Sequence, residues 1–317
     1  MGIKKLLYTY IICCTLPTLA QDSIAKSEYI TGFPDKISAR LSLVNTANIF
    51  FFADNDGEEY ELRPNERDYL GASLLFRSVE LAFGFSPKFL NTNKDNADSE
   101  LFNLNFRMFY RQWMQTIDFY YQKGFSFSDN NFSSFYFPEI ETLKLGGATS
   151  YIFNKKFSFR AIGYQNEKQN KSAGSFIPKL SLYYTKFFVN TDNLSERATS
   201  FDIAISPSYY YNFVLSNKLL FSAGASFGMG LSHSENVGAE NINTILYELT
   251  GRVVLSYNSD SFFSGINTNI SVLEKSIGNT NRQGDAISFI ELYIGYRFKA
   301  PKKFMKWADD VNDFIGF

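Results

Sequence analysis

Between Phe201 and Leu231 apolar and small polar residues alternate. Phe201, Ile203, Ile205, Pro207, Tyr209, Tyr211 and Phe213 fall on one face of an extended strand, with Asp202, Ala204, Ser206, Ser208, Tyr210 and Asn212 on the other. After the turn Ser216-Asn217, Leu219, Phe221, Ala223, Ala225, Phe227, Met229 and Leu231 repeat the apolar face against Ser222, Gly224, Ser226, Gly228 and Gly230. Soluble strands usually run roughly five or six residues, whereas about nine to eleven cross a bilayer at a tilt. A large greasy face opposite a small polar one is what a closed sheet needs with lipid outside and water inside. The expected fold is all-β, an antiparallel transmembrane β-barrel.

The same period recurs along the chain. Ile37, Ala39, Leu41 and Leu43 alternate with polar residues, and the run continues through Ile49-Phe50-Phe51-Phe52. Leu70 to Phe76 and Val79 to Phe85 flank a tight Arg77-Ser78 turn; Phe102 to Tyr110 and Gln115 to Tyr121 flank one near Gln112. Leu143 to Phe153 follows, then the turn Asn154-Lys155-Lys156 and a strand from Phe157 to about Tyr164. Tyr247 to Tyr257, Phe262 to Val272 and Ile290 to Phe298 complete the series. Short turns alternate with longer polar stretches (Ser86–Glu100, Ser126–Glu139, Ser232–Asn241, Glu274–Asp285), which predicts tight periplasmic turns and five or six sizeable outer loops. Three strand candidates, Phe157–Tyr164, Leu180–Phe188 and Phe201–Val214, lie where an even number is required. Either Leu180–Phe188 belongs to a long outer loop or a fourth short strand lies near it. Twelve strands is the first expectation and fourteen the second, since bacterial barrels of this class are even-numbered.

After Pro301 the period changes. Phe304, Trp307, Val311 and Phe314 recur at three- and four-residue spacing, predicting a short C-terminal amphipathic helix with Lys302, Lys303 and Lys306 near lipid phosphates. Met1–Ala20 reads as a secretory leader, with Lys4 and Lys5 before an apolar middle and Thr18-Leu19-Ala20 as the cleavage site. The organisation expected is a signal peptide over 1–20, a periplasmic lead-in over 21–34, an outer-membrane barrel over 35–299 and a tail helix over 300–317, in the outer membrane of a Gram-negative bacterium.

Composition sharpens this picture. The 317 residues carry 18% aromatics, an excess suited to two interfacial girdles. No apolar run beyond the leader is long enough for a membrane helix. Both cysteines, Cys13 and Cys14, lie inside the leader, so the remaining chain offers no disulfide or cysteine metal site. Removing Lys4 and Lys5 with the leader leaves 29 Lys and Arg against 32 acidic residues, a net charge of about −3, far from the basicity that nucleic acid would require. No cofactor or metal motif is present.

Asp35-Lys36-Ile37-Ser38 through Arg63-Pro64-Asn65, the turn Arg111-Gln112-Trp113, and above all Asn166-Glu167-Lys168-Gln169-Asn170-Lys171-Ser172-Ala173-Gly174-Ser175-Phe176 carry a likeness. Through these blocks the sequence resembles Bacteroidota proteins grouped as domain of unknown function 4421, over most of the chain beyond the leader. The resemblance implies an outer-membrane barrel of unassigned activity and supplies no catalytic residues.

By the strand register, Arg40, Glu80, Arg107, Asp118, Lys144, Arg160, Asp202, Glu248, Arg252, Glu291 and Arg297 face the lumen. Mixed charges there make either a packed ion-pair network or a constricted polar pore. The pore predicts a water-filled path past Arg107, Asp118 and Arg252; the network predicts those side chains interlocked. The first functional expectation is therefore a narrow barrel passing a small polar solute, the second a structural or surface-binding envelope protein with a plugged lumen. A third is a rim-located lipid hydrolase built on His233, the only histidine, next to Ser234; neighbours on a strand point to opposite faces, which disfavours direct pairing. Lys171, Ser172, Ala173, Gly174, Ser175 and Phe176 are expected as a tightly folded loop turned inward across the pore. Asp54, Asp56, Glu58 and Glu59 could bind calcium or bridge surface glycans. The aromatic-x-aromatic ending Tyr296 and Phe298 looks like the signal read by barrel-assembly machinery. Expected partners are outer-membrane lipid, that machinery during biogenesis, and a small polar solute or surface glycan.

Overall fold

The structure, a computed structural model, describes residues 28–53, 59–64, 68–90, 99–128, 134–163, 165–191, 194–236, 241–277 and 281–315. The leader Met1–Ala20 and the acidic positions Asp54, Asp56 and Glu58 lie outside the described residues, as does the side chain of Glu59. Two-residue alternation becomes β1 (Ile30–Gly32), β2 (Lys36–Ala53), β3 (Glu59–Pro64), β4 (Asp68–Phe76), β5 (Val79–Phe85), β6 (Glu100–Tyr110), β7 (Trp113–Ser128) and β8 (Ser134–Tyr151). Then follow β9 (Glu167–Gln169), β10 (Ala173–Thr191), β11 (Leu194–Val214), β12 (Leu219–Asn236), β13 (Ile242–Asn258), β14 (Phe262–Ile277), β15 (Asn281–Lys299) and the helix α1 (Lys302–Ile315).

The wall is a closed ring of twelve antiparallel strands in the order β2, β4, β5, β6, β7, β8, β10, β11, β12, β13, β14 and β15. It shuts where β15 pairs with β2, from Lys299 opposite Lys36 to Arg282 opposite Ala53. The long wall strands keep the alternation, apart from a bulge in β7: Leu41, Ile205 and Leu231 are 62–63% exposed on the outer face, while Ser38, Ser206, Asn212 and Ser256 are buried inside. At the end bearing the tight turns and α1, outward aromatics form a belt. Trp113 meets Tyr151 edge-on at 4.8 Å and Tyr151 meets Phe153 edge-on at 5.0 Å, while Phe153 and Phe176 lie tilted 5.7 Å apart and Tyr211 and Phe213 4.5 Å apart. Such girdles mark the height of the lipid interface. Tight turns of this kind are the ones expected on the periplasmic side.

Three features depart from the sequence reading. Phe157–Gly163 is not a strand; after β8 the chain turns into the barrel, and the wall passes directly from β8 to β10, with Ser150 opposite Lys179. The odd strand count disappears with it, because Leu180–Phe188 is part of the 19-residue β10. Likewise Ala173–Phe176 is no loop: it opens β10, opposite Asn212 to Tyr209 of β11. The outer loops are also shorter than expected, because β7, β8 and β10 to β15 run for 16 to 21 residues and carry the sheet well past the bilayer. Only β4, β5 and β6, of 9, 7 and 11 residues, stay near the minimum.

Above those three short strands β3 bridges the gap. It pairs with the outer part of β2, Leu62 opposite Phe50, and with the outer part of β7, Leu62 opposite Phe127. Ten strands therefore ring the outer end and twelve the middle, so the tube tapers outward. Inside, large rings lie flat over cross-strand glycines. Tyr210 sits opposite Gly224 and Phe263 opposite Gly295, and a Cβ on either glycine would fall about 2 Å from a ring carbon.

Candidate functional site

The site is the barrel interior, built in three layers. The layer at the tight-turn end is a plug of residues 152–163 and 165–172. Its Phe157, Phe159 and Ile162 are buried against inward side chains of the wall, Leu75, Phe109, Met114, Ile177, Tyr210 and Val254. Phe159 meets Tyr210 edge-on at 5.3 Å. Polar bonds hold the rest. Ser158 Oγ donates to Glu167 Oε2 at 2.6 Å, and Arg160 pairs with Glu167 at 3.6 Å while its guanidinium lies 4.7 Å from the Phe109 ring centre. Arg160, expected on the wall, is thus a plug residue. From below, β1 pairs with β9, Thr31 opposite Lys168. Lys171 binds Glu28 at the exposed edge of that pair, which holds the Glu28 carboxyl below its ordinary value and raises Lys171.

Arg297 rivets plug to wall. This β15 side chain is 1% exposed, and its guanidinium donates to Gln165 O at 2.6 Å, Ser259 O at 2.6 Å and Asn258 Oδ1 at 2.7 Å. It is sandwiched between the rings of Phe33, 4.2 Å away, and Phe263, 4.7 Å away. A single guanidinium thereby joins the lead-in, the plug, the β13–β14 turn and the closing strand.

The middle layer is a polar chamber of about 460 Å³, floored by Phe159 and Gly163 of the plug. Its walls carry most of the charges expected to face the lumen. Glu80 pairs with Arg40 at 3.4 Å and Arg107 at 3.3 Å, and Arg40 reaches Glu291 at 3.7 Å. Lys179 pairs with Glu248 at 2.7 Å, and Ser206 donates to the same carboxylate. Asp118 accepts from Asn105 at 2.9 Å and Tyr183 at 3.1 Å; Arg252 donates through Nε to Asn267 at 3.0 Å.

The outer layer closes the tube. Lys144 on β8 meets Asp285 on β15 at 3.8 Å across the lumen, and Lys275 meets Asp202 at 2.9 Å. Beside them Phe50, Phe125 and Phe187 form a triangle with ring centres 6.2–6.3 Å apart, packed with Leu62, Phe137 and Ile140. Gly124 allows this: its φ of +85° makes a bulge that turns Phe125 inward, and a Cβ there would lie 2.6 Å from the Tyr136 hydroxyl.

The residues missed by sequence reasoning are Glu167, Lys179, Lys275 and Asp285, the last two because they were expected in an outer loop. At the rim, His233 Nδ1 lies 2.7 Å from Asn243 Oδ1 and Nε2 3.3 Å from Glu235 Oε1. His233 sits opposite Asn243 and Phe201 in the sheet, while Ser234 points to the other face. Among the described residues no serine–histidine pair forms there. Tyr296 and Phe298 face outward on β15, 56% and 41% exposed. Among the described residues no group of three or more His, Cys, Asp or Glu could hold a metal ion.

Residues 21–298 match the family described as Domain of unknown function (DUF4421). Among solved structures, the chain is similar to the outer-membrane expressed OmpT of Vibrio cholerae, at 9% identity and TM-score 0.34, covering 89% of this chain and 100% of that one. It is similar also to the outer membrane protease OmpT from Escherichia coli, at 7% identity and TM-score 0.34 over 84% of this chain and 98% of that one. OprG from Pseudomonas aeruginosa aligns at 12% identity and TM-score 0.27, over 83% and 96%. Comparison with curated proteins finds no match.

Proposed function

This chain belongs to the DUF4421 family, and from that membership and its outer-membrane barrel we propose a gated passage for a small polar solute, closed at rest. One observation carries this reading: the charged chamber of about 460 Å³ held between the plug and the outer closure. A barrel serving only as a wall element has no need of a cavity of ligand size, whose usual range is about 300–1,000 Å³. On this reading the plug is the moving part, tethered to the wall by β1 on one side and β10 on the other. The leader delivers the chain across the inner membrane and is cleaved, and Tyr296 and Phe298 are read by the assembly machinery.

A second reading, the permanently plugged structural barrel, is favoured by the apolar burial of Phe157, Phe159 and Ile162. A reversible lock separates the two. Thr31 and Lys168 are cross-strand partners, a spacing of roughly 4.5–5.5 Å that a disulfide spans, and beyond the leader the chain has no other cysteine. In liposomes, T31C/K168C barrels are expected to admit erythritol when reduced and to stop when oxidised. Equal entry in the two states, or none in either, overturns gated passage; none in either leaves the structural barrel.

A further inference from the structure

Around the chamber most charged side chains have an opposite charge beside them. Arg40 and Arg107 share Glu80 and Glu291, Lys179 takes Glu248, Lys144 takes Asp285 and Lys275 takes Asp202. Two chamber-lining groups remain. Asp118 accepts only from neutral donors, Asn105 and Tyr183, and Arg252 donates to the neutral Asn267, which in turn donates to Glu291 at 2.9 Å; among the described residues neither Asp118 nor Arg252 has an opposite charge within 4 Å. They stand on β7 and β13, with four wall strands between them one way round the ring and six the other, so they face each other from opposite walls.

We infer that the chamber binds a small zwitterion, its ammonium on Asp118 and its carboxylate on Arg252. This rests on the passage reading and names its solute. A carboxylate has about four acceptor positions, of which Asp118 uses two on its neighbours; a guanidinium has five N–H donors, of which Arg252 gives one to Asn267. The remainder suits an ammonium at one wall and a forked carboxylate contact at the other. Lone anions or lone cations would satisfy one wall and leave the other uncompensated, which costs affinity. The arrangement also ties occupancy to the plug. The Arg252 guanidinium lies 5.7 Å from the Phe159 ring centre, and one of its terminal nitrogens is 2.9 Å from where a Cβ on Gly163 would stand. A carboxylate that draws this guanidinium toward the chamber withdraws it from two plug residues at once.

The test is entry into liposomes of four small, poorly membrane-permeant solutes: β-alanine as zwitterion, choline as cation, methanesulfonate as anion and erythritol as neutral reference. Wild-type barrel is expected to admit β-alanine saturably and at least about tenfold faster than the two ions. In Asp118→Asn and in Arg252→Gln the ratio of β-alanine to erythritol entry is expected to fall about tenfold, with choline disfavoured in the first and methanesulfonate in the second. Erythritol entry by each variant shows that folded barrels are being compared. Erythritol entry with no preference for β-alanine, or with a preference that survives both substitutions, overturns the zwitterion site and leaves gated passage standing. A barrel that admits none of the four overturns both.

Discussion

Arg297 joins the plug, the lead-in and the wall through one buried guanidinium, and replacing it by methionine isolates that role. Methionine keeps the length and the contact with Phe33 and Phe263 but removes three charge-assisted hydrogen bonds, to Gln165, Ser259 and Asn258. Bonds to charged groups contribute about 1.5–3 kcal/mol each, which caps the loss near roughly 9 kcal/mol. Two acceptors are partly compensated: Gln165 O also accepts from Ser38 at 3.3 Å, and the part-buried Ser259 O can take water. A loss of about 3–5 kcal/mol follows, of which about 2 kcal/mol falls on the plug through Gln165. Since about 1.4 kcal/mol is tenfold, the population of the undocked plug should rise by roughly 30-fold. Hydrogen exchange reads this directly. Backbone amides of the plug such as Ile162 and Gln165 should exchange roughly 30-fold faster in R297M, while those at the middle of β12 and β13 change far less. Arg297→Lys keeps the charge without the fork and should fall between. Plug amides that exchange at the wild-type rate in R297M would refute the rivet.

Four further outcomes follow from the same packing. Phe159→Ala empties a buried ring site and should destabilise the docked plug by about 3–5 kcal/mol, visible as a lower urea midpoint for plug protection than for the wall. Gly163→Ala places a Cβ on a residue at φ +154°, a conformation nearly confined to glycine, and should cost about 1–3 kcal/mol in the same urea titration. His233→Ala should leave lipid A and phospholipid profiles unchanged and stability within about 0.5 kcal/mol, because the exposed ring's hydrogen bonds among the described residues go to Asn243 and Glu235; an altered lipid profile would revive a rim hydrolase. The Glu28–Lys171 contact should be pH-dependent on the acid side. Its contribution is complete above the ordinary Glu28 value of 4.5 and is lost as pH falls through the lowered folded value, so protease access to the β1–β9 pair should increase there and return in Glu28→Gln at every pH.

The wall was legible because outward burial in lipid selects one face of every strand, and period two records that choice residue by residue. Leu41, Ile205, Phe227 and Ile294 face outward for that reason. The plug was not legible, because it obeys the same period for a different cause. Phe157, Phe159 and Ala161 alternate with Ser158 and Arg160 as a lipid-facing strand would, yet their apolar partner is the inside of the barrel. The discriminating signal lies elsewhere in the chain: Leu75, Phe109, Met114, Ile177 and Val254 are apolar residues in the inward register, where water would not be matched to them. Phe50, Phe125 and Phe187 carry the same message for the outer closure. Inward charges were legible as a set, since register assigns the face, but their partners were not. Lys144 meets Asp285 only because β8 and β15 stand across the narrowed outer ring, and nothing local to either strand encodes that distance.

The layering bears on why the interior is charged at all. Apolar residues at the plug and at the aromatic triangle thin the water around the chamber, which strengthens each ion pair and makes any uncompensated charge expensive. A wall selected for stability alone would gain from replacing such pairs by well-packed apolar side chains, often by about 1–4 kcal/mol. Instead four sets of paired charges are kept around the chamber, and Asp118 and Arg252 are kept apart, each held in place by neutral donors and acceptors from its own wall. Neutral partners orient a charge without cancelling it. That is the arrangement expected where the cancelling charge arrives with a solute and leaves with it.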